Sequence, residues 1–217
     1  SDVYKRQERR ASYCSLVPNN LIERGLGWPQ KLIAGIDEAG RGPWAGPVVS
    51  AAVILNEKNI PDGLNDSKKL SEKKRLSLFS SIYNFHSVGV GISSIEEIDT
   101  MNVLQATFLS MSRAVNDLNP QPEHVLVDGN LDPGLDFKTD CIVKGDSASL
   151  SIAAASIIAK VTRDNLMIEL DVEYPYYCWK KNKGYGTSEH RKALEMYGPC
   201  KYHRKSFSPI NKMLGVS

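Results

Sequence analysis

The sequence predicts an α/β domain, and three observations lead there. Short apolar runs at 32–36, 48–55 and 124–127 have the length of strands and end at polar residues or glycine. Segments of helical period alternate with them, the longest over 149–173. No repeat or low-complexity linker divides the 217 residues, so one domain is the better count.

Taken in order, residues 16–26 allow a short helix against the body. Strands over 31–37 and 47–55 form a hairpin around a loop with glycine at 40, 42 and 46. Residues 56–70 read as loop, polar and basic at Asp66, Ser67, Lys68 and Lys69. Ser71 can cap a helix to residue 83, with Leu76, Phe79 and Ile82 or Tyr83 on its inner face. Val88, Val90 and Ile92 alternate with small residues, the period of a third strand. Residues 94–118 keep one helical period, ended by two prolines at 120 and 122. Strands at 124–127 and 137–143 stop at Asp128 and at Lys144-Gly145-Asp146. The helix over 149–173 begins rich in alanine and serine, so it can lie close to the sheet. One further helix, 188–197, ends at Gly198-Pro199.

Bulk properties set limits. A net charge of +2 makes the chain no polycation, so a nucleic-acid site has to come from local clustering. Cys14, Cys141, Cys178 and Cys200 form no CxxC pair, which argues against zinc and favours reduced thiols. No apolar run reaches the ~20 residues that span a bilayer, and no secretory signal is visible. A cytoplasmic monomer without membrane contact is therefore expected. The first seven residues, SDVYKRQ, read as translated adapter sequence and are set aside. The expected organisation is an extension over 1–30, a catalytic domain with a basic C-terminal segment over 31–210, and a tail over 211–217.

Acids gather at the strand ends: Asp37 with Glu38, then Asp128, then Asp146. A lone aspartate there is usually a turn residue. Several in one α/β domain converge, because the tips of adjacent strands meet in space. In a regular strand, Asp37 and Glu38 face opposite sides, so both reach one ion only if the strand ends or twists at Gly40. Close carboxylates repel unless cations neutralise them. All-oxygen ligands favour Mg²⁺ or Mn²⁺, and a pair of such ions clamps the attacking and leaving oxygens of a phosphodiester. Residues 180–205 carry eight Lys or Arg against two acids, with Trp179, Tyr185, Tyr197, Tyr202 and Phe207 among or beside them. That pattern suits a sugar-phosphate backbone, and a solvated basic tail fits it equally well.

The segments GIDEAGRGPWAGPVV, LNDSKKL, VDGN, KGDSASLSIAAASIIAKVTRD and NKGYGTSEHRKALEMYGPCKYHRKSF closely resemble bacterial ribonuclease HII, the type 2 ribonuclease H. The resemblance runs from about residue 30 to 210. It implies a ribonuclease-H-like mixed β-sheet flanked by helices, with a helical C-terminal segment. It implies hydrolysis of RNA in RNA–DNA hybrids and at single ribonucleotides within duplex DNA, with Mg²⁺ or Mn²⁺ in a two-metal mechanism. By motif, Asp37, Glu38, Asp128 and Asp146 take the places of the catalytic, metal-holding carboxylates. Gly40, Arg41 and Gly42 take the place of the loop that grips the ribonucleotide, and Tyr185 that of the residue facing the sugar on the DNA side. Lys68, Lys180, Lys181 and Lys183 are expected on the nucleic-acid backbone. Asp164 is expected in a supporting role, and Asn182 stands where many members carry histidine. Two other classes stay open: a nucleic-acid-binding module without catalysis, and a dinucleotide-dependent oxidoreductase. Against the oxidoreductase, the loop reads GxGxxxG and leads into a strand instead of a helix.

Overall fold

The structure, a computed structural model, describes residues 17–215. Cys14 and the first seven residues lie outside that range. A five-stranded sheet has the order β3-β2-β1-β4-β5. Its strands are β1 (Ile33–Ala39), β2 (Val48–Ile54), β3 (Ser87–Ser93), β4 (His124–Asp128) and β5 (Lys138–Ile142). β1 pairs antiparallel with β2, and β2 with β3; β4 and β5 run parallel to β1. The sheet is therefore mixed, and its centre is the strand that carries Asp37.

The helices are α1 (Leu21–Gly25), α2 (Glu72–Phe85), α3 (Ile95–Met101), α4 (Val103–Asn116), α5 (Leu150–Glu173), α6 (Trp179–Asn182), α7 (Ser188–Tyr197) and α8 (Ile210–Met213). Strand alternation divides the sheet between two cores. Ile33, Ala51, Val53 and Leu126 pack with Ile152, Ile157 and Ile158 of α5 on one face. Ala34, Ile36, Ala52, Val125 and Val127 pack with Met111, Ala114 and Val115 of α4 on the other. A third cluster, with Met167, Trp179, Leu194 and Ile210, seats the C-terminal helices.

Four expectations need correction. The helix expected over 94–118 is two helices, broken at Asn102, whose φ is 72°. The Asn102 side chain accepts from the Leu104 and Gln105 N–H groups and so caps α4, a local choice that hydrophobic period cannot show. On α2 the buried residues are Leu78 and Ile82, while Leu76 and Tyr83 are 45% and 43% exposed. The first strand runs past Asp37 to Ala39 instead of stopping at the acids. The C-terminal segment holds α6 and α8 besides the expected α7. No helix among the described residues is long and apolar enough to cross a membrane.

Candidate active site

Register builds the site. Ile36 on β1 lies beside Val127 on β4, so Asp37 and Asp128, one step on, are neighbours. Both leave the sheet on the side of α5, because each is two residues from a position packed there. Asp146 arrives from the short turn Gly145–Ser147 beyond β5. The Gly145 N–H donates to Asp128 Oδ1 at 2.7 Å and ties that turn to the strand tip. One carboxylate oxygen from each of Asp37, Asp128 and Asp146 lies within 4.8 Å of the others.

Glu38 stands outside this trio. With β1 continuous through it, the alternation starts its side chain from the opposite face. Its Oε1 accepts from Arg41 Nη1 at 3.2 Å. Burial pushes its pKa up, and the Arg41 cation opposes that. Glu38 and Asp37 nonetheless line one cavity of about 260 Å³, with Gly40, Arg41, Gly42, Lys68, Lys160 and Tyr185.

The three close acids are held where charge is costly. Asp37 is pushed well above the usual carboxylate range by burial, then by Glu38 and Asp128. Burial and then Asp146 push Asp128 to about 6. Asp146 is raised by burial and by Asp66. Lys68 sits among them: burial pulls its pKa down, but Asp37, Asp66, Asp146 and Asp128 together lift it. One buried and two half-buried carboxylates crowd together here, with Lys68, and Lys69 at Asp146, as the nearby ammonium groups. A hard divalent cation fits that all-oxygen donor set.

α5 supplies residues that the reading of the strand tips missed. Ser156, Lys160 and Arg163 line the cavity. Their i, i+4, i+7 spacing on an otherwise apolar helix start is the signal that could have found them. The Ser156 hydroxyl faces Asp37 and donates to Ser67 Oγ at 2.9 Å. Lys160 pairs with Asp164 at 2.7 Å, which ties Asp164 to a residue of the cavity wall. Arg163 is 1% exposed and donates to the carbonyls of Pro47, Ala45 and Lys183. Arg204, fully buried, donates to those of Gly40, Arg41, Gly46 and Pro47. Nothing in a basic tail marks Arg204 as buried.

The Tyr185 side of the cavity corrects a second set of expectations. A tyrosine between two glycines reads as an exposed ring on a mobile turn. The ring is exposed, at 46%, but the turn is held on every side. Lys183 O accepts from Arg163, Gly184 O from the Trp44 N–H at 2.9 Å, and the Tyr185 N–H donates to Asn182 O at 2.9 Å. Glycine is needed at 186 because a Cβ there would stand 2.1 Å from the Trp44 ring. Asn182 is buried and accepts from the Gly184 N–H at 2.9 Å. A Cβ built on Gly42 would lie 3.7 Å from the Tyr185 ring, so the ring borders the glycine loop.

The basic segment is less uniform than its sequence. Trp179 is core, with no exposed surface. Lys181 is paired with Glu189 at 2.6 Å, and Lys183 Nζ donates to the Lys180 carbonyl. The oxidoreductase reading falls, because the glycine loop returns as β2 and opens no helix.

Strand order and the meeting of Asp37 on β1, Asp128 at the end of β4 and Asp146 beyond β5 put the molecule among the ribonuclease-H-like hydrolases. The Ribonuclease HII family model matches residues 34–210. A ribonuclease HII of Jannaschia sp. (strain CCS1) is 54% identical over 198 residues, 91% of this chain and 98% of its own. One of Wolbachia pipientis subsp. Culex pipiens (strain wPip) is 55% identical over 180 residues, covering 82% and 91%. The crystal structure of ribonuclease H2 from Pyrococcus horikoshii OT3 has a TM-score of 0.70 at 30% identity, covering 83% of this chain and 96% of that one. The chain belongs to the ribonuclease HII family, and is a ribonuclease H acting on the RNA of RNA–DNA hybrids.

Proposed function

We propose that this ribonuclease H also cuts 5′ to single ribonucleotides embedded in duplex DNA, leaving 3′-OH and 5′-phosphate ends, and so serves ribonucleotide removal. The observation that carries the reading is that Tyr185, the glycine loop and Asp37 line one cavity. A ribose held against Gly40-Arg41-Gly42 can offer its 2′-OH to backbone groups at close range. The Tyr185 ring, bordering Gly42, then meets the next sugar. A 2′-OH there would crowd the ring, which favours an RNA-to-DNA step.

Asp37, Glu38, Asp128 and Asp146 are the catalytic set of this reading. Asp37, Asp128 and Asp146 would hold Mg²⁺ or Mn²⁺ together, and Glu38, which lines the same cavity as Asp37, would complete the carboxylate set of a two-metal mechanism. Bound there, such ions supply charge stabilisation to the attacking and leaving oxygens of the phosphodiester. Water adds its oxygen to phosphorus, the P–O3′ bond on the 5′ side of the ribonucleotide breaks, and the released 3′-oxygen takes a proton. Arg41 and Lys68 place positive charge beside the phosphate. Lys180, Lys181 and Lys183 lie farther along the backbone path. The catalytic unit of this reading is residues 31–210, acting as a monomer.

The test is digestion of a DNA duplex carrying one ribonucleotide, with the cut mapped, in chelator and with Mg²⁺ or Mn²⁺ restored. A cut on the 5′ side that depends on the cation is expected. Cleavage in chelator, or on the 3′ side, would overturn the reading.

A further inference from the structure

Behind Tyr185 lies a closed chain of hydrogen bonds that no step above uses. His190 and His203 are both fully buried. Their Nε2 atoms are 3.0 Å apart. Two backbone contacts fix where each proton sits. The Cys200 N–H donates to His203 Nδ1 at 3.0 Å, so that nitrogen carries a bare lone pair. Neutral His203 therefore holds its proton on Nε2 and points it at His190. The Trp179 indole N–H donates to the same His190 Nε2 at 3.2 Å. His190 Nε2 is thus an acceptor, and its proton sits on Nδ1. That N–H faces the Tyr185 carbonyl at 2.9 Å.

Every donor in the chain is forced by the one before it, from the Cys200 backbone to the Tyr185 backbone. Burial holds His190 below its ordinary pKa, and burial followed by His190 holds His203 down to about 3, so both shifts favour the neutral rings that the hydrogen-bond geometry requires. The Thr187 N–H shares the Tyr185 carbonyl at 2.8 Å, which leaves His190 as its side-chain donor.

We infer that the His190–His203 pair is a positioning device for the reaction: it fixes the Tyr185 peptide so that the ring reads the sugar on the DNA side of the junction. The inference rests on the junction-reading role of Tyr185 proposed above. His190 touches no substrate and acts through Tyr185 alone.

Two substitutions separate positioning from stability. His190→Gln can keep an acceptor for Trp179 and His203 but loses the donor to Tyr185. His190→Asn keeps a donor at the Nδ1 place but strands the two buried N–H groups behind it. For His190→Gln, kcat on a single embedded ribonucleotide should fall about tenfold relative to a long RNA–DNA hybrid, with the melting temperature near that of the parent. For His190→Asn the melting temperature should fall by about 4 °C while the substrate ratio stays within about twofold. ¹⁵N imidazole spectra should show Nδ1–H on His190 and Nε2–H on His203. The inference is overturned if the ratio tracks melting temperature across both variants, if His190→Gln leaves the ratio unchanged, or if the tautomers are reversed. Tyr185→Ala in the same assay tells two failures apart. A changed ratio there with an unchanged one in His190→Gln removes only the positioning role. An unchanged ratio in Tyr185→Ala removes the junction reading, and this inference with it.

Discussion

Arg204 Nε donates to the Gly46 carbonyl at 2.9 Å across 158 residues of sequence, and Nη1 of the same guanidinium donates to Arg41 O at 3.0 Å. A residue of the basic tail thereby holds the loop that borders the carboxylates. Five N–H groups in a rigid fork suit this task, because loop carbonyls converge on it from several directions. Arg204→Lys keeps the charge but loses the fork, and leaves buried carbonyls without donors. A loss of about 3 kcal/mol is expected in urea unfolding. A lysine variant within about 0.5 kcal/mol of the parent would show that water replaces the fork.

Asp37→Asn and Asp128→Asn should each abolish cleavage while the protein stays folded, since volume is kept and one anionic ligand is lost. Without metal, each variant should melt no lower than the parent, because a member of a repelling cluster is gone. Far-ultraviolet dichroism and a cleavage assay on the same preparation decide this. Full activity in pure Asp37→Asn would sink the assignment of the trio.

The raised carboxylates also set a pH dependence. Asp128 goes from an ordinary 3.8 to about 6, and Asp37 and Asp146 shift in the same direction. The metal-free native state therefore binds protons more tightly than the unfolded chain. For Asp128 the resulting destabilisation is absent below pH 3.8, grows as pH rises through about 6, and is complete above it, with Asp37 and Asp146 adding to it in the same direction. Melting temperature in chelator should carry a falling contribution across that window. Saturating Mg²⁺ should remove it, because the cation takes the protons' place. Identical pH profiles with and without Mg²⁺ would contradict a cation at these acids.

Binding should weaken steeply with salt, and the three lysines should not weigh equally. Each phosphate neutralised adds about 0.9 to the slope of log K against log salt on duplex DNA. Lys180→Gln should remove about that much. Lys181→Gln should remove less, since Glu189 at 2.6 Å already offsets its charge. Equal slopes in the parent and in a triple variant at Lys180, Lys181 and Lys183 would leave the segment a solvated surface.

The strand tips were legible because apolar runs and acids are both local signals. β1, β2, β4 and α5 came close to their expected ranges, with Asp128 at a strand end and Asp146 past one, while β1 continues two residues beyond Asp37. The Ile36–Val127 register that makes two of them neighbours is a tertiary fact, and no spacing encodes it. What failed depended on long-range partners. A buried Arg204 looks like any tail cation until the carbonyls it serves are known. Gly184 and Gly186 looked like freedom and are close approach. Asn102 broke a continuous hydrophobic period through one side-chain cap.

The approach of α5 to β1 yields the last expectation. A Cβ on Gly35 would stand 2.2 Å from the Ser151 carbonyl carbon and 2.3 Å from the Ile152 nitrogen. These are backbone atoms in the first turn of α5, which cannot swing aside as a side-chain tip could. That turn is itself pinned: buried Glu23 accepts from the Ser149 hydroxyl at 2.6 Å and from the Ser151 N–H at 2.9 Å. Gly35→Ala must therefore move the whole helix outward or bend the strand, at a cost of about 1–3 kcal/mol. The same helix carries Ser156 to Asp37, and Lys160 and Arg163 to the cavity. Cleavage should fall further than the loss of stability explains, and Mn²⁺ should bind more weakly in calorimetry, because the strand two residues before Asp37 is displaced. A Gly35→Ala protein with lowered melting temperature but unchanged Mn²⁺ affinity and turnover would mean that the helix yields away from the site, and that the acids are placed by the β1–β4 register alone.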